Sequence, residues 1–243
     1  MTYDLLGIGN AIVDVLARCD DAFISAHGLN KGAMTLIDAG RAEALYAAMP
    51  PAVEVSGGSA ANTMAAFASL GGRGAFIGKV AEDQLGQVFR HDIRATGIAF
   101  DTPAANGGAP TARCLILVTP DAQRTMNTFL GACVGLSEAD VDEAAVAAAA
   151  VTYLEGYLFD PPAAQAAFRK AARVAHEAGR QVALTLSDPF CVDRHRAAFR
   201  SLVADEIDIL FANEHEILSL YEVATFEEAV SAVRAETRVA CLT

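Results

Sequence analysis

Apolar runs and amphipathic stretches alternate along most of the chain. The opening run from Tyr3 to Gly9 has the near-continuous apolar character of a buried strand, and another short strand is predicted at 76–77. Between them, a glycine turn at Gly57 leads into an apolar helix from Ala60 to Leu70. Asp83 then precedes a second helical pattern with its apolar positions on one face. This alternation predicts a layered α/β fold around a mostly parallel central sheet.

The second half of the chain continues the alternation at regular intervals. Ser137 and Asp140 have the spacing of a capping box and predict an Ala-rich helix that extends to about Ala150. Pro161 starts a further helix, which ends at Gly179. Strands are predicted at 151–154, 182–186, 207–212 and 239–242.

Two regions depart from this pattern because their strands adjoin without a helix between them. Residues 111–119 and 124–130 read as strands joined by a tight turn, and strand-like runs also occur within 13–38. We therefore predict one small sheet inserted into an α/β core. The core is assigned to residues 1–12, 39–98 and 132–243, and the inserted sheet to residues 13–38 and 99–131.

Composition narrows the possible functions. The net charge of the 243 residues is −12, the wrong sign for a nucleic-acid-binding protein, which needs a basic face. The five cysteines are widely spaced and include no Cys-x-x-Cys pair, which argues against a disulfide framework or a zinc site. With no signal peptide or bilayer-spanning stretch in the sequence, we expect a soluble cytoplasmic protein that is not bound to a membrane.

Candidate ligand-binding residues surround a glycine turn and the end of the first strand. Gly57 and Gly58 allow close backbone approach at a helix N-terminus, and Asn62 on the first helical turn can bind a diol. Asn10 and Asp14 follow the first strand, where ligands bind open parallel sheets. Each feature, taken alone, is also typical of an ordinary turn or a capped helix.

A second candidate group follows later strands. Asn213 and Glu216 lie one helical turn apart at a strand's carboxyl end, where they could hold hydrated Mg²⁺ and phosphate oxygens, and Asp188 follows the preceding strand. The alternative interpretation is an N-cap with acidic residues favoured by the helix dipole. A dinucleotide-binding fingerprint begins at Gly7 and Gly9 but fails at Ile12.

Taken in order, these motifs resemble the ribokinase (PfkB-type) family of carbohydrate and nucleoside kinases. The resemblance is carried by 57–62, by the segment from Ile77 to Gly86, and by an Asn-x-x-Glu motif at Asn213 and Glu216. It spans nearly the whole chain. Within the family the chain looks most like the adenosine kinase branch, on the segments 9–15, 186–190 and 208–214.

The resemblance implies a fold and a reaction. The fold would be a ribokinase-like three-layer α/β/α sandwich, with the inserted sheet as a lid that closes over substrate and can form a homodimer. The reaction would be ATP- and Mg²⁺-dependent phosphorylation of the 5′-hydroxyl of adenosine, a step of purine salvage. Catalysis would then rest on positioning and charge stabilisation.

The resemblance also implies residue roles. Asp14 and Asn62 would hold the ribose hydroxyls with Asn10 beside them, while Gly57 and Gly58 bring backbone against the ribose. Arg124 resembles a basic residue that approaches the transferred phosphate. The residues expected to organise phosphate and Mg²⁺ are Asn213, Glu216 and Asp188, with Glu216 contacting the metal through water.

One motif of the family is missing. The Gly-Ala-Gly-Asp tetrapeptide that supplies the catalytic base does not occur, although the segment from Gly131 to Val134 begins in the same way. We therefore expect these residues to be the front part of a longer kinase, with no catalytic base of their own. Two alternatives stay open: a sugar kinase of the same family acting on a ribose- or fructose-like substrate, and a non-catalytic nucleoside-binding module.

Overall fold

The computed structural model describes residues 2–243, which fold around two β-sheets. The strands in chain order are β1 (Tyr3–Ile8), β2 (Ile12–Arg18), β3 (Met34–Leu36), β4 (Ala52–Gly57), β5 (Gly74–Ile77), β6 (Ala112–Val118), β7 (Arg124–Phe129), β8 (Ala149–Glu155), β9 (Gln181–Thr185), β10 (Ile209–Ala212) and β11 (Val239–Leu242). The α-helices are α1 (Asp21–Ala26), α2 (Ala39–Ala48), α3 (Ser59–Ser69), α4 (Gln84–Ala95), α5 (Glu143–Ala148), α6 (Pro162–Glu177), α7 (Pro189–Glu206), α8 (Glu214–Tyr221) and α9 (Phe226–Val233).

The core sheet has the strand order β11-β10-β9-β8-β1-β5, and its neighbouring strands pair in parallel. From β1 the chain goes to β5 on one side and later to β8 through β11 on the other. The topological switch point therefore lies between β1 and β8. In parallel α/β sheets, ligands bind in the crevice beyond the carboxyl ends of the strands at such a point.

Successive side chains of β1 point to opposite faces of the core sheet, and both faces are buried. Leu6 and Ile8 pack into the hydrophobic cluster that contains the buried faces of α6 and α7. Gly7 faces the other way, because a Cβ there would meet the side chain of Met64 on α3. Helices thus cover both faces of the sheet, which confirms the predicted three-layer α/β/α sandwich. Within the described residues, no helix has the length and apolar character that crossing a bilayer requires.

The second sheet has the order β3-β7-β6-β2-β4 and mixes parallel and antiparallel pairs. Its inner face contributes Val13, Val15 and Leu115 to a hydrophobic cluster shared with α3 and α4. Two segments assigned from the sequence to the core belong here instead: 52–57 forms the edge strand β4, and α2 packs on β6 and β7. Val53 and Val55 alternate with polar residues in β4. This pattern alone does not indicate that the strand pairs with β2 of the second sheet rather than with a strand of the core sheet.

The predicted Ala-rich helix from Ser137 to about Ala150 is much shorter in the structure. The capping box of Ser137 and Asp140 forms, but it opens only a short 3₁₀ turn. Asp142 then caps α5, which gives way to β8 at Ala149. Sheet pairing with β1 overrides the helical propensity of alanine here, because these residues complete the centre of a buried parallel sheet.

Candidate functional site

Asn10 and Asp14 lie where the chain passes from the core sheet to the second sheet. Asn10 follows β1 and is 2% exposed, whereas the partly buried Asp14 lies on β2 opposite Val55 and Cys114. Burial raises the pKa of Asp14 to about 6, and the positive charge of Arg124 opposes part of that rise. An ionised Asp14 is therefore poorly solvated, and ligand hydroxyls that donate to it would replace the missing water.

The glycine turn brings the N-terminus of α3 against these two residues. Gly57 ends β4, and a Cβ there would lie within 2.7 Å of Cγ and both carboxylate oxygens of Asp14. Gly58 has φ = 98° at the N-cap of α3, and a Cβ there would overlap the carbonyl oxygen of Asn10. Gly58 therefore needs glycine, whereas the missing side chain of Gly57 leaves the space that the Asp14 carboxyl group occupies. Asn62 is exposed on the first turn of the helix, and its N–H donates to the carbonyl oxygen of Gly58 at 2.8 Å.

Glu155, at the end of β8, joins this group and was not predicted as a site residue. Its Oε2 accepts the backbone N–H of Asn10 at 2.6 Å, and Glu155 is 1% exposed. Burial raises the pKa of Glu155 to about 7, against hydrogen bonds from Asn10 and the Ala60 backbone that lower it. The available signal was a charged residue closing an otherwise apolar strand beside the switch point. Buried carboxylates with perturbed pKa values cluster at functional sites.

The outer face of the second sheet surrounds Asp14 with apolar and cationic groups. Arg124 is the exposed first residue of β7, and its charge lowers the pKa of both Asp14 and Cys114, so it lies close to this face. Burial nevertheless raises the pKa of Cys114 to about 11, which keeps it a neutral thiol. The strand register places one row of side chains on this face: Leu36, Thr128, Cys114, Asp14 and Val55.

Asn213 and Glu216 form a capping box at the start of α8. The backbone N–H and Nδ2 of Asn213 donate to Glu216 Oε2 and Oε1 at 2.9 and 2.8 Å, and Glu216 N–H donates back to Asn213 Oδ1. Asp188 caps α7 in a similar way and accepts the N–H of Phe190 at 2.7 Å. These contacts therefore directly support the helix-capping interpretation of Asn213, Glu216 and Asp188.

A direct metal site is not formed by these groups. Among residues 2–243, no three His, Cys, Asp or Glu side chains come together to hold a metal ion. Burial raises the pKa of Glu216, and the charge of Asp188 raises it further, so the two carboxyl groups lie within electrostatic range. A hydrated cation would relieve this repulsion while leaving the capping box intact. The residues therefore fit Mg²⁺ held through water better than Mg²⁺ coordinated directly.

Tyr157 lies near both groups of candidate residues, the one that includes Glu155 and the one that includes Asp188 and Glu216. Its pKa is raised to about 12, first by burial and then by the negative charges of Asp188, Glu155 and Glu216. Both candidate groups therefore lie at one end of the core sheet. A cavity of about 290 Å³ lies elsewhere, beside the edge strand β5, and the predicted site residues are not part of its lining.

Among curated proteins, the chain is similar to the guanosine-inosine kinase of Escherichia coli (strain K12). The two are 27% identical over 227 residues, which cover 89% of this chain and 52% of that protein. The chain thus spans about half the length of the curated relatives that it first matches.

Solved structures give higher identities over the whole chain. The adenosine kinase from Sinorhizobium meliloti is 55% identical with a TM-score of 0.90, and the match covers 100% of this chain and 75% of that one. The "probable sugar kinase protein" from Rhizobium etli CFN 42 is 52% identical with a TM-score of 0.89, covering 100% and 74%.

A family model supplies the assignment that these similarities share. The model of the pfkB family carbohydrate kinases matches residues 37–240, which include the glycine turn and the Asn-x-x-Glu motif. Together with the ribokinase-like fold and the carboxylate-lined switch point, this match shows that the chain belongs to the pfkB family of carbohydrate kinases.

Proposed function

We propose that the protein is an ATP-dependent, Mg²⁺-requiring kinase that phosphorylates the 5′-hydroxyl of adenosine, as in purine salvage. The observation that carries the proposal is the 55% identity, over the whole chain, to a protein solved as an adenosine kinase. The site agrees with it, because a poorly solvated carboxylate beside a helix N-terminus suits a ligand rich in hydroxyl groups.

The acceptor-binding residues in this proposal are those gathered at the switch point. Asp14 accepts hydrogen bonds from ribose hydroxyls, and Asn62 completes the contact from the first turn of α3. Asn10 packs under them, while Gly57 and Gly58 leave room for the ribose against the backbone. A site of this kind accelerates transfer mainly by holding the acceptor in a reactive orientation.

Of the residues proposed to face the phosphate, Asp188, Asn213 and Glu216 follow strands of the core sheet, and Arg124 begins β7 of the second sheet. Arg124, whose charge reaches Asp14, would attract the transferred phosphoryl group, and Asn213, Glu216 and Asp188 would organise Mg²⁺ and phosphate oxygens through water. Bound ATP would supply the phosphoryl group for in-line transfer. We assign no catalytic base within residues 2–243.

A sugar kinase of the same family is the second candidate function. It is supported by the 52% identity to the "probable sugar kinase protein" of Rhizobium etli. The Asp14 carboxylate and both glycines would serve a free ribose or a fructose-like acceptor equally well. Recognition of the adenine ring is therefore what distinguishes an adenosine kinase from a sugar kinase.

Calorimetric titration tests the choice of acceptor. The protein is titrated with adenosine and with ribose, and Asp14→Ala serves as the matched variant. Saturable adenosine binding that is lost in Asp14→Ala and absent with ribose supports the adenosine assignment. Binding of ribose but not adenosine would move the proposal to the sugar kinase, and unchanged adenosine affinity in Asp14→Ala would refute the assigned site.

The second sheet is proposed to act as a lid and as a homodimer contact. Its outer face exposes Met34, Leu36, Val53 and Val55, an apolar patch that a second copy of the chain would cover. Light scattering of the protein and of Val53→Asp tests this, with loss of the dimer expected in the variant. The cytoplasm is the proposed compartment, since the five cysteines are free thiols.

A further inference from the structure

The cavity beside β5 lies at a break in the edge of the core sheet. Isolated parallel bridges at Ala99 and Ala105 place the chain segment between them alongside β5 and the residues that follow it. Pro103 in this segment has no N–H to donate, and no backbone hydrogen bond that the structure describes joins the inside of the segment to residues 77–79. The pairing of a further strand thus starts and is interrupted. The cavity of about 290 Å³ opens at this gap, since Ile77 and Pro103 both line it.

The edge of β5 presents a backbone acceptor to this cavity. Phe76 packs its side chain on Phe89 and Phe100 in the other hydrophobic cluster, so its peptide group is what lines the cavity. Its N–H donates to the carbonyl oxygen of Ala99 at 2.8 Å, towards the outer edge of the sheet. The carbonyl group of a strand residue points to the same side as its N–H, so the Phe76 carbonyl oxygen is left without a strand partner at the gap.

Thr102 adds a buried hydroxyl group without a partner. The residue lines the cavity and is 6% exposed. Its carbonyl oxygen accepts a hydrogen bond from Arg90 at 3.1 Å, but its hydroxyl forms none within residues 2–243. Polar groups this deeply buried are normally hydrogen-bonded, so the hydroxyl is a group that a bound molecule would satisfy.

Three carboxyl groups border the cavity, and only two of them have cationic partners. Asp140 pairs with Lys79, and Asp101 pairs with Arg94 at 2.7 Å. Asp142 forms no salt bridge in the part of the chain that the structure describes. Its Oδ1 accepts two N–H groups of α5 at 3.0 Å, which leaves Oδ2 for another donor. The border therefore carries one negative charge more than its cations neutralise.

The remaining walls of the cavity are apolar. They include the side chains of Leu6, Val141 and Ala145, together with the aromatic residue Tyr3. A volume of about 290 Å³ is close to the lower end of the 300–1,000 Å³ range that is typical of small-molecule sites. Acceptor groups with one uncompensated negative charge favour a cation that carries N–H donors, and an aromatic ring favours the same kind of group.

We propose that the cavity beside β5 is a binding site for a small alkylammonium ion. The charge of Asp142 selects a cation, while the Phe76 carbonyl oxygen and the Thr102 hydroxyl offer further hydrogen bonds. The apolar walls hold the alkyl chain. None of the residues assigned to the acceptor or to phosphate lines this cavity, so the inference does not depend on the proposed function.

Calorimetry with hexylammonium chloride at low ionic strength tests the site, with 1-hexanol as the neutral probe of equal length. We expect saturable binding of hexylammonium and at least about tenfold weaker binding of hexanol, because a hydrogen bond to a charged group contributes about that factor. Asp142→Asn should weaken hexylammonium binding about tenfold without unfolding the protein, since asparagine caps a helix as well as aspartate does. Glu43→Gln on α2 removes the same charge away from the cavity and should bind like the wild type.

A second pair of variants tests the cavity itself. Ala145→Leu extends a lining side chain into the space and should abolish binding of hexylammonium. Ala144→Leu is the matched control, because Ala144 is the exposed neighbour on the same helix and is not part of the lining. Thr102→Val keeps the shape of the side chain and removes only the hydroxyl, so binding should weaken severalfold while the circular dichroism spectrum stays unchanged.

Four results would overturn the inference. They are the absence of saturable hexylammonium binding to the folded wild type up to about 10 mM, equal affinity for hexanol, and unchanged hexylammonium affinity in both Asp142→Asn and Ala145→Leu. The fourth is a loss in Glu43→Gln as large as that in Asp142→Asn, because it would attribute binding to the net charge of −12 rather than to this cavity.

Discussion

Replacing Gly57 with alanine tests the closest contact of the proposed site. The new Cβ would lie within 2.7 Å of all three carboxyl atoms of Asp14. Ordinary contact between nonbonded heavy atoms begins at about 3.5 Å, and the nearest carboxyl atoms would lie at 2.3 Å, so the carboxyl group must move by at least about 1.2 Å. The backbone of Gly57 has no positive φ, so alanine itself is not strained there.

The expected effects on stability and on binding differ strongly. Asp14 can rotate away at the cost of an unfavourable side-chain conformation, about 1 kcal/mol, and more exposure of its charge partly offsets this. Misplacement of a binding group by about 1 Å can lower activity by about 100-fold. We therefore expect Gly57→Ala to change the free energy of unfolding by no more than about 1 kcal/mol, and to weaken adenosine binding nearly as much as Asp14→Ala does.

Urea unfolding and calorimetry on the same samples measure the two quantities. Gly40→Ala on α2 is the control, since its nearest neighbour would lie at an ordinary 3.5 Å and alanine favours a helix, so stability should rise slightly without a change in binding. In the double variant Asp14→Ala, Gly57→Ala, the effects should not add, because both act on one carboxylate. Wild-type affinity in Gly57→Ala would show that the Asp14 carboxylate is not used where the structure places it.

Three further changes test other parts of the structure. Asp14→Asn should raise the free energy of unfolding by up to about 3 kcal/mol above pH 6, because the folded pKa of about 6 exceeds the ordinary 3.8; urea titrations should show the gain shrinking towards pH 4. Gly58→Ala should cost at least about 2 kcal/mol, since it combines a positive φ with overlap on the Asn10 carbonyl, and a thermal shift near zero would contradict this. Asn213→Ala should cost about 1 kcal/mol through loss of the α8 cap, as measured by chemical denaturation, whereas a neutral result would mean that the capping box does not form in solution.

The sequence predicted the core sheet well because each of its strands carries its own signal. A strand such as β9 is a short apolar run bounded by turn residues, and parallel pairing follows from the helices between such runs. The strand β4 carries no such independent signal, because only its partner β2 makes it part of the second sheet. Ala149 and Ala150 at the start of β8 were misassigned to the preceding helix because alanine favours a helix, and only pairing with β1 makes them part of a strand.

The candidate site likewise combines residues that a local sequence pattern predicts with a residue that only the tertiary fold reveals. Gly57, Gly58 and Asn62 belong to one local motif, and their positions at the start of α3 follow from the turn that glycine allows. Glu155 could not be recognised, because its partners Asn10 and Ala60 lie on other elements that only the tertiary fold brings to it. Local patterns thus identify residues that act within one turn, whereas a contact across the switch point depends on sheet order.

The position of β1 between β5 and β8 has a consequence for synthesis on the ribosome. The last contact that closes the switch point joins Asn10 to a residue 145 positions later. At about 5–20 residues per second, translation supplies that residue roughly 7–30 s after Asn10. During this interval the edge of β1 that pairs with β8 has no partner strand. An unpaired apolar strand edge is a surface that chaperones bind and through which unfolded chains aggregate. The nascent chain should therefore depend most on chaperones before β8 emerges, and ligand binding should develop only afterwards.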